Sequence, residues 1–201
     1  MGRGRVDRRL PRAAGSASLL LVALLALSCG GGGGGGSDAL PCTTLTFDRA
    51  LSTLANGDVY LDQASGTCST VGVGVLVNNL SRIWTVSFDL NFPSSLLTYD
   101  SFTLGPLLQK GSPASPPLVF VTQVGSTVQV TMTRLLPDPP IDAVGSEALI
   151  TIRFQRVAAG SGAIDFNTSG SSPVGEVVLD ELGGTRPATF APGHGGMVMV
   201  P

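Results

Sequence analysis

The stretch SRIWTVSFDLNFPSSLLTYDSFTLG, Ser81–Gly105, decides the fold. Trp84, Val86, Phe88, Leu90 and Phe92 alternate with Thr85, Ser87, Asp89 and Asn91. A period of two places the first set on one face of a strand and the second on the other, one face for a core and one for water. Pro93-Ser94-Ser95 ends the run, because proline has no N–H to give to a ladder. The alternation then resumes with a fault. Leu97 and Tyr99 share one phase and Phe102 and Leu104 the other, so a bulge or bend is expected near Asp100-Ser101. The only tryptophan, Trp84, falls in the apolar phase and is expected to seal one end of a core rather than to read a ligand.

Strand signals continue on both sides. Val71, Val73, Val75 and Val77 alternate with Gly72, Gly74, Leu76 and Asn78. Val119–Val124 and Thr127–Thr133 flank Gly125-Ser126, a hairpin signal. Leu149–Val157 puts Ile150, Ile152 and Phe154 on one face; Ala163–Phe166, Glu176–Leu179 and Met197–Val200 supply shorter strands. Turn residues separate them, among them Gly111-Ser112-Pro113, Pro137-Asp138-Pro139-Pro140 and Gly160-Ser161-Gly162. Only Leu45–Leu54 shows some helical period. Many short strands with one polar face each imply an all-β, antiparallel sandwich.

The N-terminal part is not fold. Arg3, Arg5, Arg8, Arg9 and Arg12 precede an apolar run, Leu19–Leu27, that ends at Ser28-Cys29-Gly30. A positive start, a short apolar core and a small residue at the end describe an export signal. The run is roughly half the ~20 residues needed to span a bilayer. An ordinary cleaved signal is the bland reading. The sharper one is a lipoprotein signal: Leu25-Ala26-Leu27-Ser28-Cys29 resembles a bacterial lipobox, with Ala26 and Leu27 the less usual choices, and makes Cys29 the lipidation candidate. Seven glycines, Gly30–Gly36, follow it and read as a flexible tether, since they have nothing to bury and much entropy to lose on ordering. The chain thus divides into a signal over 1–29, a tether over 30–41 and a β-sandwich domain over 42–201, exported and anchored to the cell envelope. If the organism is Gram-negative, the outer membrane is the expected site.

Charge and cysteines narrow the function. The chain has 12 basic and 14 acidic residues; removing the leader's five arginines and Asp7 leaves 7 against 13, a net charge near −6. That disfavours nucleic acid as a partner. With Cys29 set aside, Cys42 and Cys68 remain, and an oxidising compartment favours a disulfide between them over two free thiols. Two cysteines and one histidine make no zinc site, and no loop has calcium-binding spacing. His194, in Pro192-Gly193-His194-Gly195-Gly196, reads as a solvated loop residue. The adjacent acids Asp180-Glu181 read as a solvated pair, and no Gly-x-Ser-x-Gly elbow exists. The expectation is a non-enzymatic module with no catalytic residue, cofactor or metal.

Two segments carry a family resemblance. VGVGVLVNNLSRIWTVSFDLNFPSSLLTYDSFTLG, Val71–Gly105, resembles the early strands of a cohesin domain, and ALITIRFQRVAAGSGAIDF, Ala148–Phe166, resembles its later ones. The family commonly ends its third strand with Tyr-Asp, where this chain has Phe92-Pro93. The resemblance implies a jelly-roll sandwich of about nine strands. It implies relatives that bind dockerin modules in polysaccharide-degrading assemblies, and kinship with carbohydrate-binding modules. It also implies a partner-binding face on Thr85, Ser87, Asp89 and Asn91, the outward residues of the matching strand. A dockerin-like protein is therefore the first expected partner, and a polysaccharide, or no specific ligand at all, the alternative. Sugar binding needs exposed planar aromatics. Tyr60, Trp84 and Tyr99 are the chain's only Tyr and Trp residues, and the last two fall in core phases.

Overall fold

A computed structural model describes residues 42–167, 177–191 and 193–201. The readings of Cys29 and of the glycine tether lie outside the described residues. Among the described residues eleven strands form two sheets: β1 (Thr46–Arg49), β2 (Val59–Gly66), β3 (Thr70–Asn78), β4 (Thr85–Asn91), β5 (Leu97–Leu104), β6 (Leu118–Val124), β7 (Thr127–Thr133), β8 (Ser146–Arg156), β9 (Gly160–Phe166), β10 (Val177–Leu179) and β11 (Gly196–Val200). The larger sheet runs β1-β11-β9-β4-β7-β6. In it β4 pairs with β7 along its whole length on one side; on the other it pairs end to end with β10 at Thr85–Ser87 and with β9 at Leu90–Asn91. The smaller sheet runs β2-β3-β8-β5. All these ladders are antiparallel.

The core lies between the sheets, and alternation places its residues. Val86, Phe88 and Leu90 of β4 and Ile150, Ile152 and Phe154 of β8 are fully buried, and Phe92 nearly so. Phe92, just past β4, meets Phe154 of the smaller sheet with ring centroids 5.2 Å apart. Phe88 lies edge-on to Phe166 at 5.8 Å, and Phe166 edge-on to Phe190 at 5.3 Å. Edge-to-face packing of this kind adds to the burial energy. The phase fault in β5 is a bulge: Tyr99 pairs with Phe154 and Ser101 with Arg153, which leaves Asp100 as the extra residue.

Some segments depart from the reading of the sequence. Leu45–Leu54 holds strand β1, because Leu45 and Phe47 turn into the core two residues apart and Leu45 N–H donates to Thr67 C=O at 2.8 Å. Gly160-Ser161-Gly162 is the start of β9, paired with β11, not a turn. A Cβ on Gly162 would come within 2.8 Å of Pro93, and one on Gly160 within 2.8 Å of Leu96. These glycines mark close approach of the loop after β4, a regular role for glycine in a strand. Trp84 does not seal the core; it is half-buried, and the fully buried residue there is Ile83. Arg82 has a positive φ of 57°, and Ile83 bridges Ile141 before β4 begins. Trp84 already lies in the ladder with β7, since Arg134 N–H donates to its C=O at 3.0 Å, and its side chain is not among those packed against the core.

Cys42 and Cys68 form a disulfide with Cα atoms 5.5 Å apart across 26 residues. It ties the segment before β1 to the turn between β2 and β3, and on the chain-entropy account contributes about 3–4 kcal/mol. Phe88→Ala empties the centre of the core and should lower unfolding free energy by about 3–5 kcal/mol in chemical denaturation. A loss below about 1 kcal/mol would place Phe88 on the wrong face.

Candidate functional site

The outward residues of β4 form rows with those of its neighbours. Thr85, Ser87, Asp89 and Asn91 stand opposite Thr133, Thr131, Gln129 and Thr127 of β7. Those in turn stand opposite Leu118, Phe120, Thr122 and Val124 of β6. On the far side Val177 and Leu179 of β10 flank Ser87 and Thr85, and Asp165 of β9 flanks Asn91.

Each row between β4 and β7 is closed by a side-chain hydrogen bond. The Thr85 and Thr133 hydroxyls lie 2.7 Å apart and those of Ser87 and Thr131 3.0 Å apart. Ser87 Oγ also donates to Val130 C=O at 3.3 Å. Gln129 Nε2 donates to Asp89 Oδ2 at 3.4 Å, and Thr127 Oγ1 to Asn91 Oδ1 at 2.8 Å. Such cross-strand pairs fix rotamers as well as register. A shallow depression of about 200 Å³ lies along the rows, lined by Ser87, Asp89, Phe120, Thr122, Gln129 and Thr131.

The four residues of the expected face do point outward, but they are not equally open. Asn91 is exposed, Thr85 and Asp89 are half-buried, and Ser87 is buried. Their strand is central, and the buried Ser87 is flanked on both sides, by Thr131 of β7 and Val177 of β10. The more accessible surface is one that the sequence reading missed. Phe120 is 61% exposed and Val124 60%, with Leu118 beside them at 43%. The signal for them was available: in LVFVTQV, Leu118–Val124, Val119 and Val121 already fill the inward phase, so apolar residues at 118, 120 and 124 break the polar-out rule.

The other chemistry-bearing residues are tied into the fold by hydrogen bonds and ion pairs. His194 is buried, not solvated. Its Nδ1 lies 2.9 Å from Val59 C=O and its own C=O accepts from Leu61 N–H, so the glycine-rich loop is folded against β2. Asp180 and Glu181 are not a solvated pair either. Glu181 pairs with Arg82, and Asp180 with Arg186. Asp180 Oδ1 also accepts from Leu182 N–H at 3.0 Å and Gly184 N–H at 2.6 Å. Among the described residues no three His, Cys, Asp or Glu side chains gather as a metal would need.

Removal from water pushes the Asp180 carboxyl up, but the Gly184 and Leu182 N–H groups and the Arg186 guanidinium outweigh that and hold it below the ordinary aspartate value. Glu147 is held low in the same sense: burial raises it, while Lys110 and Val144 N–H bring it down further. A carboxyl depressed in the folded state stabilises above its unfolded value, and that stability is lost as pH falls through the folded value. Acid unfolding of the wild type should therefore steepen below about pH 4. Asp180→Asn should remove part of that slope in melts recorded against pH; an unchanged slope would mean that the Asp180 contacts are not formed in solution.

No protein-family model matches the chain, and no curated protein matches it. Solved structures do. The cohesin CaCohA2 from Clostridium acetobutylicum aligns with 72% of this chain and 92% of its own, at 21% identity and a TM-score of 0.52. The sixth cohesin of scaffoldin B from Acetivibrio cellulolyticus, solved in complex with a dockerin, aligns with 71% of this chain and 97% of its own, at 14% identity and a TM-score of 0.53. A type II cohesin from the cellulosome of the same organism aligns with 69% and 91%, at 10% identity and 0.50. At these identities the likeness is one of fold, and in fold this chain is a cohesin-like β-sandwich.

Proposed function

We propose that the outer face of β4, β7 and β6 binds a dockerin-type protein module, and that the chain is a binding element of an exported assembly acting on polysaccharide. One observation carries the reading. An exposed apolar set, Phe120, Leu118 and Val124, lies beside polar groups already held in place by cross-strand hydrogen bonds. An apolar anchor against preordered hydrogen-bonding groups is what a protein interface needs, because little freedom is lost on contact. The dockerin complex of a cohesin with this fold supports the choice of partner. The proposed activity is binding, with no catalytic step.

A sugar-binding face has less support. Tyr60 is buried, with the Arg49 guanidinium 5.4 Å from its ring centre, while Trp84 and Tyr99 are half-buried. No Tyr or Trp offers an open platform.

The test is calorimetric titration of the chain with a panel of dockerin modules, beside a glycan array. At least one dockerin should bind. Phe120→Asp and Asp89→Arg should each weaken it by about 1–3 kcal/mol, with melting temperatures almost unchanged. Arg153→Glu, on the smaller sheet, should bind as the wild type does. Binding to glycans alone, or dockerin affinity indifferent to both face substitutions, would contradict the reading.

We further propose that Cys29 carries a lipid that tethers the domain to the cell envelope, the outer membrane if the organism is Gram-negative, with Gly30–Gly36 as spacer. Metabolic labelling should place an acyl chain on the wild type and none on Cys29→Ser. An unlabelled wild type would remove the anchor.

A further inference from the structure

We infer that two copies of this chain join edge to edge through β6, and that the dimer presents two docking faces side by side. A strand at the end of a sheet offers unpaired N–H and C=O groups, and proteins usually blunt such edges with charge, proline or bulges. Three of the strands at the ends of the two sheets are blunted. β1 has four residues and carries Asp48 and Arg49. β2 carries Asp62 and a bulge between Gln63 and Ser65. β5 carries Asp100 at its own bulge. β6, seven residues long, has no charge, no proline and an unbroken register with β7. No charged residue lies between Lys110 and Arg134, so two copies meet there without local repulsion.

The register of such a pairing follows from the hairpin. Gly125 and Ser126 form a two-residue turn, with Gly125 at φ 61°. In a turn of this kind the flanking residues, Val124 and Thr127, exchange both backbone bonds. The backbone groups of Leu118, Phe120, Thr122 and Val124 therefore face β7, and those of Val119, Val121 and Gln123 face an edge that no strand among the described residues covers. An antiparallel second copy uses the whole strand only if Val121 meets Val121 of its mate. Val119 then exchanges bonds with Gln123 of the other copy. Leu118 stands opposite Val124 of the other copy and Phe120 opposite Thr122, in the close, non-hydrogen-bonded sites of the ladder. The apolar side chains exposed on β6 thus find partners on the same strand of its mate.

The operation is a two-fold axis through the sheet at Val121, which makes an isologous contact. Both outer faces then point the same way. A bivalent partner, or a row of dockerins, would meet two adjacent faces and gain avidity without any new contact.

Sedimentation velocity on the full chain, carrying Cys29→Ser to keep it free of lipid, should show a concentration-dependent monomer–dimer equilibrium. Gln123→Pro removes an edge N–H while leaving the bonds to β7, and it should shift the equilibrium at least tenfold toward monomer. Val121→Lys should do the same, and circular dichroism should show both variants folded. Thr103→Lys, on β5, should leave the dimer intact. For the register, a mixture of Phe120→Cys and Thr122→Cys proteins should form a mixed disulfide on oxidation, and neither alone should link at that yield. A monomer at every concentration, or a dimer unaffected by Gln123→Pro and Val121→Lys, would overturn the inference. Dockerin affinity measured on the monomeric Gln123→Pro protein keeps the docking proposal separately testable.

Discussion

The inward face of β4 is pinned. Phe88 lies edge-on against Phe166 and faces Phe190 at 6.3 Å, with Val86 and Leu90 buried on either side of it. A one-residue slip of this strand would bring Thr85, Ser87, Asp89 and Asn91 into the core and expose every apolar partner. That penalty fixes the strand's phase, and the rest of the larger sheet follows. With β4 set, β7 is set by its seven-residue ladder, and its hydroxyl and amide side chains fall opposite those of β4. The tight hairpin then sets β6 and leaves Phe120 outward beside Thr131. The proposed docking surface is thus the reverse side of the core, positioned by the same alternation.

Much of this fold was legible because a period of two is a local signal. The faces of β4 and β8, the bulge at Asp100 and the hairpin at Gly125-Ser126 could all be read from neighbouring residues. What failed depended on distant ones. Gly160 and Gly162 look like turn residues until Pro93 and Leu96 are seen packed against them. His194 looks free until β2 supplies Val59 C=O. Trp84 matched the phase of Val86 in sequence, yet it stands just before the strand, half-buried and outside the core cluster. Asp180 looked solvated because its partners, Gly184 N–H and Arg186, are assembled by a turn whose shape the sequence does not state.

The candidate site was half legible for the same reason. The direction of Thr85, Ser87, Asp89 and Asn91 followed from alternation. Their accessibility did not, since it depends on which strands lie alongside. Ser87 is buried because its strand is central, and Phe120 is open because its strand is at an edge.

The central claim is that a partner covers the outer face of the larger sheet. Hydroxyl-radical footprinting with and without a bound dockerin module tests it directly, because each sheet carries an exposed phenylalanine to report. Phe120 is 61% exposed on β6 and Phe102 39% exposed on β5 of the smaller sheet. Oxidation of Phe120 and Leu118 should fall on binding while that of Phe102 is unchanged. Protection of Phe102 with Phe120 still reactive would place the partner on the opposite sheet and contradict the account.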